Sequence, residues 1–112
     1  MHVTVTTTKG TPGQPLEVAT LAGEAMLPWL SEIEGFEGLL MMSNESDGTT
    51  LVITFWENKD VADEHLAVRA EFRDRITATV EVRVDNVVDY DLTFANLGTW
   101  PADTPAEALG RR

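Results

Sequence analysis

The sequence contains no cysteine and no long apolar run. The absence of cysteine excludes disulfide frameworks, thiolate zinc sites, iron–sulfur clusters and cysteine nucleophiles. No apolar segment approaches the ~20 residues that a membrane-spanning helix requires. These absences favour a protein whose stability comes from an ordinary hydrophobic core.

Positive charge is also scarce, because 8 Lys and Arg residues stand against 19 Asp and Glu residues, for a formal net charge of −11 at pH 7. Such an acidic surface repels phosphate backbones and anionic lipids, so we expect no nucleic-acid or membrane partner. The first residues, Met1-His2-Val3-Thr4, lack the basic and apolar segments of a signal peptide. We therefore expect a cytoplasmic protein.

The familiar motifs of nucleotide-binding proteins, zinc proteases and serine hydrolases are missing from the sequence. Asp85, Asp89 and Asp91 alternate along one predicted strand, but metal sites with oxygen ligands usually gather their residues from a loop. We therefore expect neither a metal nor a cofactor.

What is present is a globular composition, with 43% hydrophobic and 24% charged residues in 112 positions. Residues 3–8 alternate valine and threonine before a Gly- and Pro-rich turn, which predicts a strand. Residues 14–33 carry an apolar stripe at helical spacing. Pro28 lies inside this helix and should kink it or weaken its last turn.

Two further strands are predicted over 36–44 and 49–56, joined by a turn. Both are apolar at nearly every position, which is typical of a sheet covered on both faces. Helices can cover one face. A second copy of the same sheet is the simplest cover for the other, so we expect a homodimer.

A second helix is predicted over about 59–76, with Asn58 as its N-cap. The last strand is predicted over 79–94, with a bulge or bend at Asp85-Asn86 that interrupts the alternation. The order βαββαβ predicts a ferredoxin-like α+β domain over 1–94, with an antiparallel sheet and two helices on one face. The Pro- and Ala-rich tail, 95–112, is expected to pack on the partner subunit or to be partly disordered.

In these elements the sequence resembles the antibiotic biosynthesis monooxygenase family of the dimeric α+β barrel superfamily. The resemblance covers roughly residues 3–94. It rests on four short segments: Thr8-Lys9-Gly10-Thr11, Glu34-Gly35-Phe36-Glu37-Gly38, Leu51-Val52-Ile53-Thr54-Phe55-Trp56-Glu57 and Asn58-Lys59-Asp60. It implies two ferredoxin-like subunits whose sheets face each other, and a pocket in each subunit between the sheet and its helices.

The resemblance also implies a chemistry. Some members of the family oxygenate aromatic, polyketide-like substrates without a metal or flavin, because the deprotonated substrate itself can reduce O2. Other members degrade heme, using an asparagine, a tryptophan and a histidine. Those positions fall at Val3, at His65 and near Arg75 in this chain, and all three depart from the pattern. Heme degradation is therefore the less favoured alternative.

His65 is the candidate catalytic residue, because it lies on the apolar face of the second predicted helix and an imidazole titrates near neutral pH. It would accept a proton from a phenolic substrate. Alternatively, it is a core histidine with a hydrogen-bond partner, since a polar ring on an apolar face is costly without one.

The other candidate residues would bind the substrate. Trp56 is either a stacking wall for an aromatic ligand or a core side chain, and Tyr90 either orients the substrate or points to solvent. Arg69 could pair with an acidic group or flank the site with its aliphatic stem. The remaining pocket-lining candidates are aromatic: Trp29, Phe55 and Phe72.

The sequence therefore favours a cofactor-independent monooxygenase acting on an aromatic or polyketide-like small molecule. The alternative is a non-catalytic dimer on the same scaffold that binds or senses a small ligand. An enzyme should show a polar group beside His65 in one closed pocket.

Overall fold

A computed structural model of the chain describes residues 1–13, 16–79 and 82–98. Most of the Pro- and Ala-rich tail lies outside the described residues. Seven elements follow one another: β1 (His2–Lys9), α1 (Leu16–Ser31), β2 (Phe36–Asn44), β3 (Thr49–Trp56), α2 (Lys59–Glu64), α3 (Leu66–Thr79) and β4 (Arg83–Asp91).

The four strands form one antiparallel sheet in the order β2-β3-β1-β4, and the helices pack on one of its faces. This arrangement confirms the predicted ferredoxin-like fold. β1 is central, so His2 lies opposite Trp56 on one side and opposite Asp91 on the other. Among the described helices, none has both the length and the apolar character that crossing a bilayer requires.

Side chains alternate between the two faces of the sheet, and the face under the helices carries the core. Met26 and Leu30 of α1 and Ala62 of α2 pack there against Trp56, whose exposed fraction is 0%. The predicted apolar stripe of α1 is thus confirmed at Met26 and Leu30. Pro28 is accommodated inside α1, which continues to Ser31.

The opposite face, which we call the open face, is apolar and carries none of the described helices. Val3 lies between Phe55 and Tyr90 on it, and Val5 lies between Ile53 and Val88. Tyr90 is 53% exposed and Val88 39% exposed in the single chain. Double-sided apolar strands are therefore present as predicted, while the second copy that would cover this face stays a prediction, as do the domain bounds 1–94.

Two predicted elements differ from the structure. The predicted helix over 59–76 is two helices, because the chain breaks at His65, where φ is −107° and ψ is 14°. Side-chain periodicity did not reveal this break, since the apolar stripe continues through it.

The last strand is also shorter than 79–94. Its predicted irregularity is confirmed, because Thr7 pairs with Asn86 and Thr8 with Val84, which leaves Asp85 as an extra residue.

Gly35 fixes the approach of α2 to the sheet. Its φ is +92°, and a Cβ at this position would lie 2.5 Å from Cγ1 of Val61. Its carbonyl accepts a hydrogen bond from the Glu57 amide at 2.8 Å. Only glycine combines this conformation with this clearance, so Gly35 brings the end of β3 and the start of α2 against the end of α1.

Candidate functional site

The helix-covered face of β1 is polar. His2, Thr4, Thr6 and Thr8 are all buried there, while the valines of the same strand lie on the open face. A strand that alternates valine and threonine would ordinarily turn its valines to the helices. Buried polar side chains are costly unless hydrogen-bonded, so this face needs a polar partner.

That partner comes from β4 and α3. Asp89 Oδ1 lies 3.0 Å from His2 Nε2 and accepts a hydrogen bond from Thr4 Oγ1 at 2.9 Å. Arg69 Nη2 donates to the same Thr4 oxygen at 3.2 Å. We call these four residues, His2, Thr4, Arg69 and Asp89, the polar cluster. The polar cluster connects β1 to β4 and to α3.

Arg69 is held by the core as well as by the polar cluster. Its Nη1 donates to the carbonyl of Ala62 at 2.6 Å, and its guanidinium lies over the Trp56 ring. The indole Nε1 of Trp56 donates to Thr54 Oγ1 at 3.0 Å, and Phe36 meets the ring edge-on. Burial lowers the pKa of Arg69, and the charge of Asp89 opposes this shift. Arginine remains protonated at neutral pH, so a fixed positive charge lies under the sheet.

Asp89 complements that charge. Burial by itself would raise the pKa of Asp89, but the hydrogen bonds from His2 and Thr4 outweigh it, and the pKa is held below its usual value. The side chain is still 55% exposed, because β4 is an edge strand. Asp89 is therefore ionised at neutral pH and accepts hydrogen bonds only.

His2 has the chemistry of an oriented base. Its side chain is 4% exposed, and Nδ1 has no hydrogen-bond partner among the described residues. Because the Asp89 carboxylate only accepts, Nε2 of a neutral His2 carries the proton and Nδ1 carries the free lone pair. A carboxylate that fixes one ring nitrogen and leaves the other free is the arrangement that general-base catalysis uses.

His65 lies elsewhere, in a half-open groove of about 570 Å³ between the end of α1 and the α2–α3 break. Trp29 lines the same groove, with an apolar floor formed by Ile33, Val61 and Val68. Four carboxylates complete the lining: Glu32, Glu34, Glu57 and Glu64. The groove is thus acidic and open, unlike the polar cluster.

The structure separates the predicted site residues into three places. Trp29 and His65 lie together in the groove, and Trp56 and Arg69 lie together in and beside the core. Phe55 and Tyr90 lie on the open face. The side chain of Phe72 lies outside what the structure describes.

Sequence reasoning missed the pairing of His2 with Asp89. The sequence does place His2 and Thr4 on one face of a strand, which was an available signal. Nothing local places Asp89 beside them, because 87 positions separate His2 from Asp89. The strand order and the shifted register of β4 decide that contact.

Comparisons of the sequence with protein-family models and with curated proteins find no match. Solved structures do match. The monooxygenase from the gene ActVA-Orf6 of Streptomyces coelicolor, in complex with the ligand nanaomycin D, is 17% identical with a TM-score of 0.64, over 88% of this chain and 92% of that one.

Two other structures are similar to the same degree. A protein named antibiotic biosynthesis monooxygenase is 16% identical with a TM-score of 0.59, over 83% of this chain and 99% of that one. The NE2512 protein of unknown function from Nitrosomonas europaea is 16% identical with a TM-score of 0.61, over 88% of this chain and 95% of that one. The chain therefore has the ferredoxin-like α+β fold of proteins named antibiotic biosynthesis monooxygenases, the fold that its sequence resemblance predicts.

Proposed function

We propose that the chain is a cofactor-independent monooxygenase for an electron-rich aromatic small molecule, and that His2 is its base. One observation carries this proposal: the buried imidazole of His2 is held by Asp89 at Nε2 and has a free Nδ1. Ionisable groups gathered in one partly buried, hydrogen-bonded cluster are typical of functional sites. The shared fold supports the reaction class, since several proteins with this fold are named monooxygenases.

The reaction needs little from the protein beyond binding, deprotonation and exclusion of water. Nδ1 of His2 accepts a proton from an acidic C–H or O–H of the substrate, and Asp89 stabilises the resulting imidazolium. The substrate anion passes one electron to O2, and the radical pair combines to a peroxide anion. The imidazolium of His2 returns its proton to this anion, which gives the neutral peroxide. Loss of water from that peroxide leaves a carbonyl, so one oxygen atom enters the product and the other enters water.

Arg69 is a positioning residue in this proposal. Its donors are engaged by Ala62 and Thr4, and Thr4 in turn donates to Asp89. Arg69 therefore holds the carboxylate that orients the base. His65, by contrast, lies in the open groove, so we assign it no proton transfer.

A homodimer completes the proposal. Two open faces packed together would bury the apolar side chains that a single chain leaves exposed, including Tyr90, Val88 and Met42. Monomeric soluble proteins rarely expose large contiguous apolar patches. Phe55 and Tyr90 would then contact the partner's sheet, and each helix-covered face would keep its own polar cluster.

The test is O2 uptake with anthrone- and quinol-type compounds, using untagged protein. Removing a general base typically lowers the reaction rate 10²- to 10⁴-fold, so His2→Gln should lower kcat by about 10²-fold or more. His65→Gln is the matched control, and its kcat should stay within about twofold of the wild-type value. Circular dichroism and a thermal melt establish that His2→Gln is folded. Unchanged turnover in folded His2→Gln would overturn the assignment of the base.

The alternative is a non-catalytic dimer that binds a small ligand. The burial of His2 favours it, because an imidazole that is 4% exposed also suits a purely structural role. This alternative predicts saturable binding of the same compounds without O2 uptake. Turnover by the wild type that is lost in His2→Gln would exclude it.

A further inference from the structure

The groove beside His65 carries negative charge that no ion pair among the described residues balances. Its four glutamates are exposed, and no described basic residue forms an ion pair or hydrogen bond with any of them. The described ion pairs of the protein lie elsewhere, as in Lys9–Asp47, Lys59–Asp63 and Arg83–Asp85. None of the described lining residues of the groove is a lysine or an arginine.

The groove also offers apolar and aromatic surface to an occupant. Val68 lines it and is 53% exposed, and Trp29 is half-buried beside the apolar floor. The face of an indole ring attracts cations. Carboxylates around an aromatic and aliphatic wall complement a ligand that joins a positive charge to an apolar body.

A metal ion does not fit these side chains. Among the described residues, no three His, Cys, Asp or Glu side chains lie close enough together to hold one. The volume of about 570 Å³ instead falls within the usual range of small-molecule sites, roughly 300–1,000 Å³.

We infer that this groove binds a small organic ammonium ion with an aromatic or branched aliphatic body. The charge of Glu57 and Glu64 attracts the ammonium group, and the apolar body packs against Trp29 and Val68. The site is separate from the polar cluster, whose side chains lie on the sheet under α3. Binding in the groove is also independent of the proposed oxygenation, because binding an ammonium ion involves no reaction.

The experiment is a titration of the full chain with phenethylammonium, followed by amide chemical shifts and by calorimetry. The isosteric anion 3-phenylpropanoate is the ligand control. We expect saturable binding of the ammonium ion, with shifts centred on residues 57–68, and no binding of the anion. An absence of saturable ammonium binding, or equal binding of the anion, would overturn the inference.

A pair of charge-matched variants separates a site from diffuse attraction by an acidic protein. Glu57→Gln with Glu64→Gln removes two groove charges, while Glu24→Gln with Glu45→Gln removes two exposed charges elsewhere. Exposed ion pairs are worth about two- to fivefold each in affinity, so the groove variant, which loses two, should bind about four- to twenty-fivefold more weakly. The control variant should change affinity less than about twofold. Equal weakening in the two variants would show diffuse attraction and overturn the inference.

Discussion

The guanidinium of Arg69 lies 4.4 Å from the centroid of the fully buried Trp56 ring. A desolvated cation over an indole stabilises a fold by up to about 2 kcal/mol. The same guanidinium donates to Ala62 of α2 and to Thr4 of β1. Arg69 therefore connects the hydrophobic core, α2 and the polar cluster. These contacts compensate for the partial burial of its charge.

Arg69→Ala should lower the free energy of unfolding by about 2–4 kcal/mol, because it removes the ring contact and leaves Thr4 and the Ala62 carbonyl with fewer partners. Arg83→Ala is the matched control, since Arg83 is exposed and pairs only with Asp85 among the described residues. It should cost less than about 1 kcal/mol. Urea denaturation at one fixed protein concentration measures both. Equal losses in the two variants would contradict a structural role of Arg69 beyond its charge.

Asp89 should give the stability of the protein a specific pH dependence. Its pKa is lowered in the folded state, so its contribution is full above the unfolded value of about 3.9 and is lost as the pH falls through the folded value. Asp89→Asn should be less stable than the wild type by about 1 kcal/mol near pH 7, a modest figure because the half-exposed side chain is screened. The gap should close below about pH 4.

Asp91→Asn is the control for this pH profile, since it changes the same charge on the same strand without removing the bonds to His2 and Thr4. Thermal melts from pH 3 to pH 8 give the comparison. A stability gap for Asp89→Asn that stayed constant down to pH 3 would mean that the charge of Asp89 contributes nothing.

Gly35→Ala should destabilise the fold by about 2–4 kcal/mol, because alanine is strained at φ +92° and its Cβ would meet Val61. Gly13→Ala is the matched control. Gly13 also has a positive φ, +82°, but none of the described atoms lies within 4 Å of the place that a Cβ would take there. Gly13→Ala should lower the free energy of unfolding by only about 1–2 kcal/mol. Comparable melting temperatures for the two variants would show that the contact with Val61 relaxes freely.

The open face should control the oligomeric state. Val88→Asp places a charge in the proposed interface, where an unpaired carboxylate costs several kcal/mol, so the dimer dissociation constant should rise by about 10²-fold or more. Leu21→Asp changes an exposed residue of α1, which lies on the other side of the sheet, and should leave the dimer intact. Light scattering after size exclusion measures both. A monomeric wild type would refute the dimer.

Local sequence patterns were enough to predict the order of the strands and helices, their approximate bounds and the bulge at Asp85-Asn86. Each of these depends on interactions between near neighbours: β-branched alternation, helical spacing, N-capping by Asn58 and turn residues. The resemblance carried by the Gly35–Phe36 and Trp56–Glu57 segments pointed to the same fold. The site was harder to predict, because the described side chains proposed for one pocket lie in three separate places: Trp29 with His65, Trp56 with Arg69, and Phe55 with Tyr90.

The sequence by itself determined the acidic charge, the ferredoxin-like element order and the two apolar faces of the β2–β3 hairpin. Composition and periodicity are local properties of the chain. Only the tertiary structure decided that the polar side of β1 lies under the helices, that the chain breaks at His65, and that His2 meets Asp89. The physical reason is register: residues 87 positions apart become partners only when four strands pair in one particular alignment, and that alignment is chosen by the packing of the whole sheet.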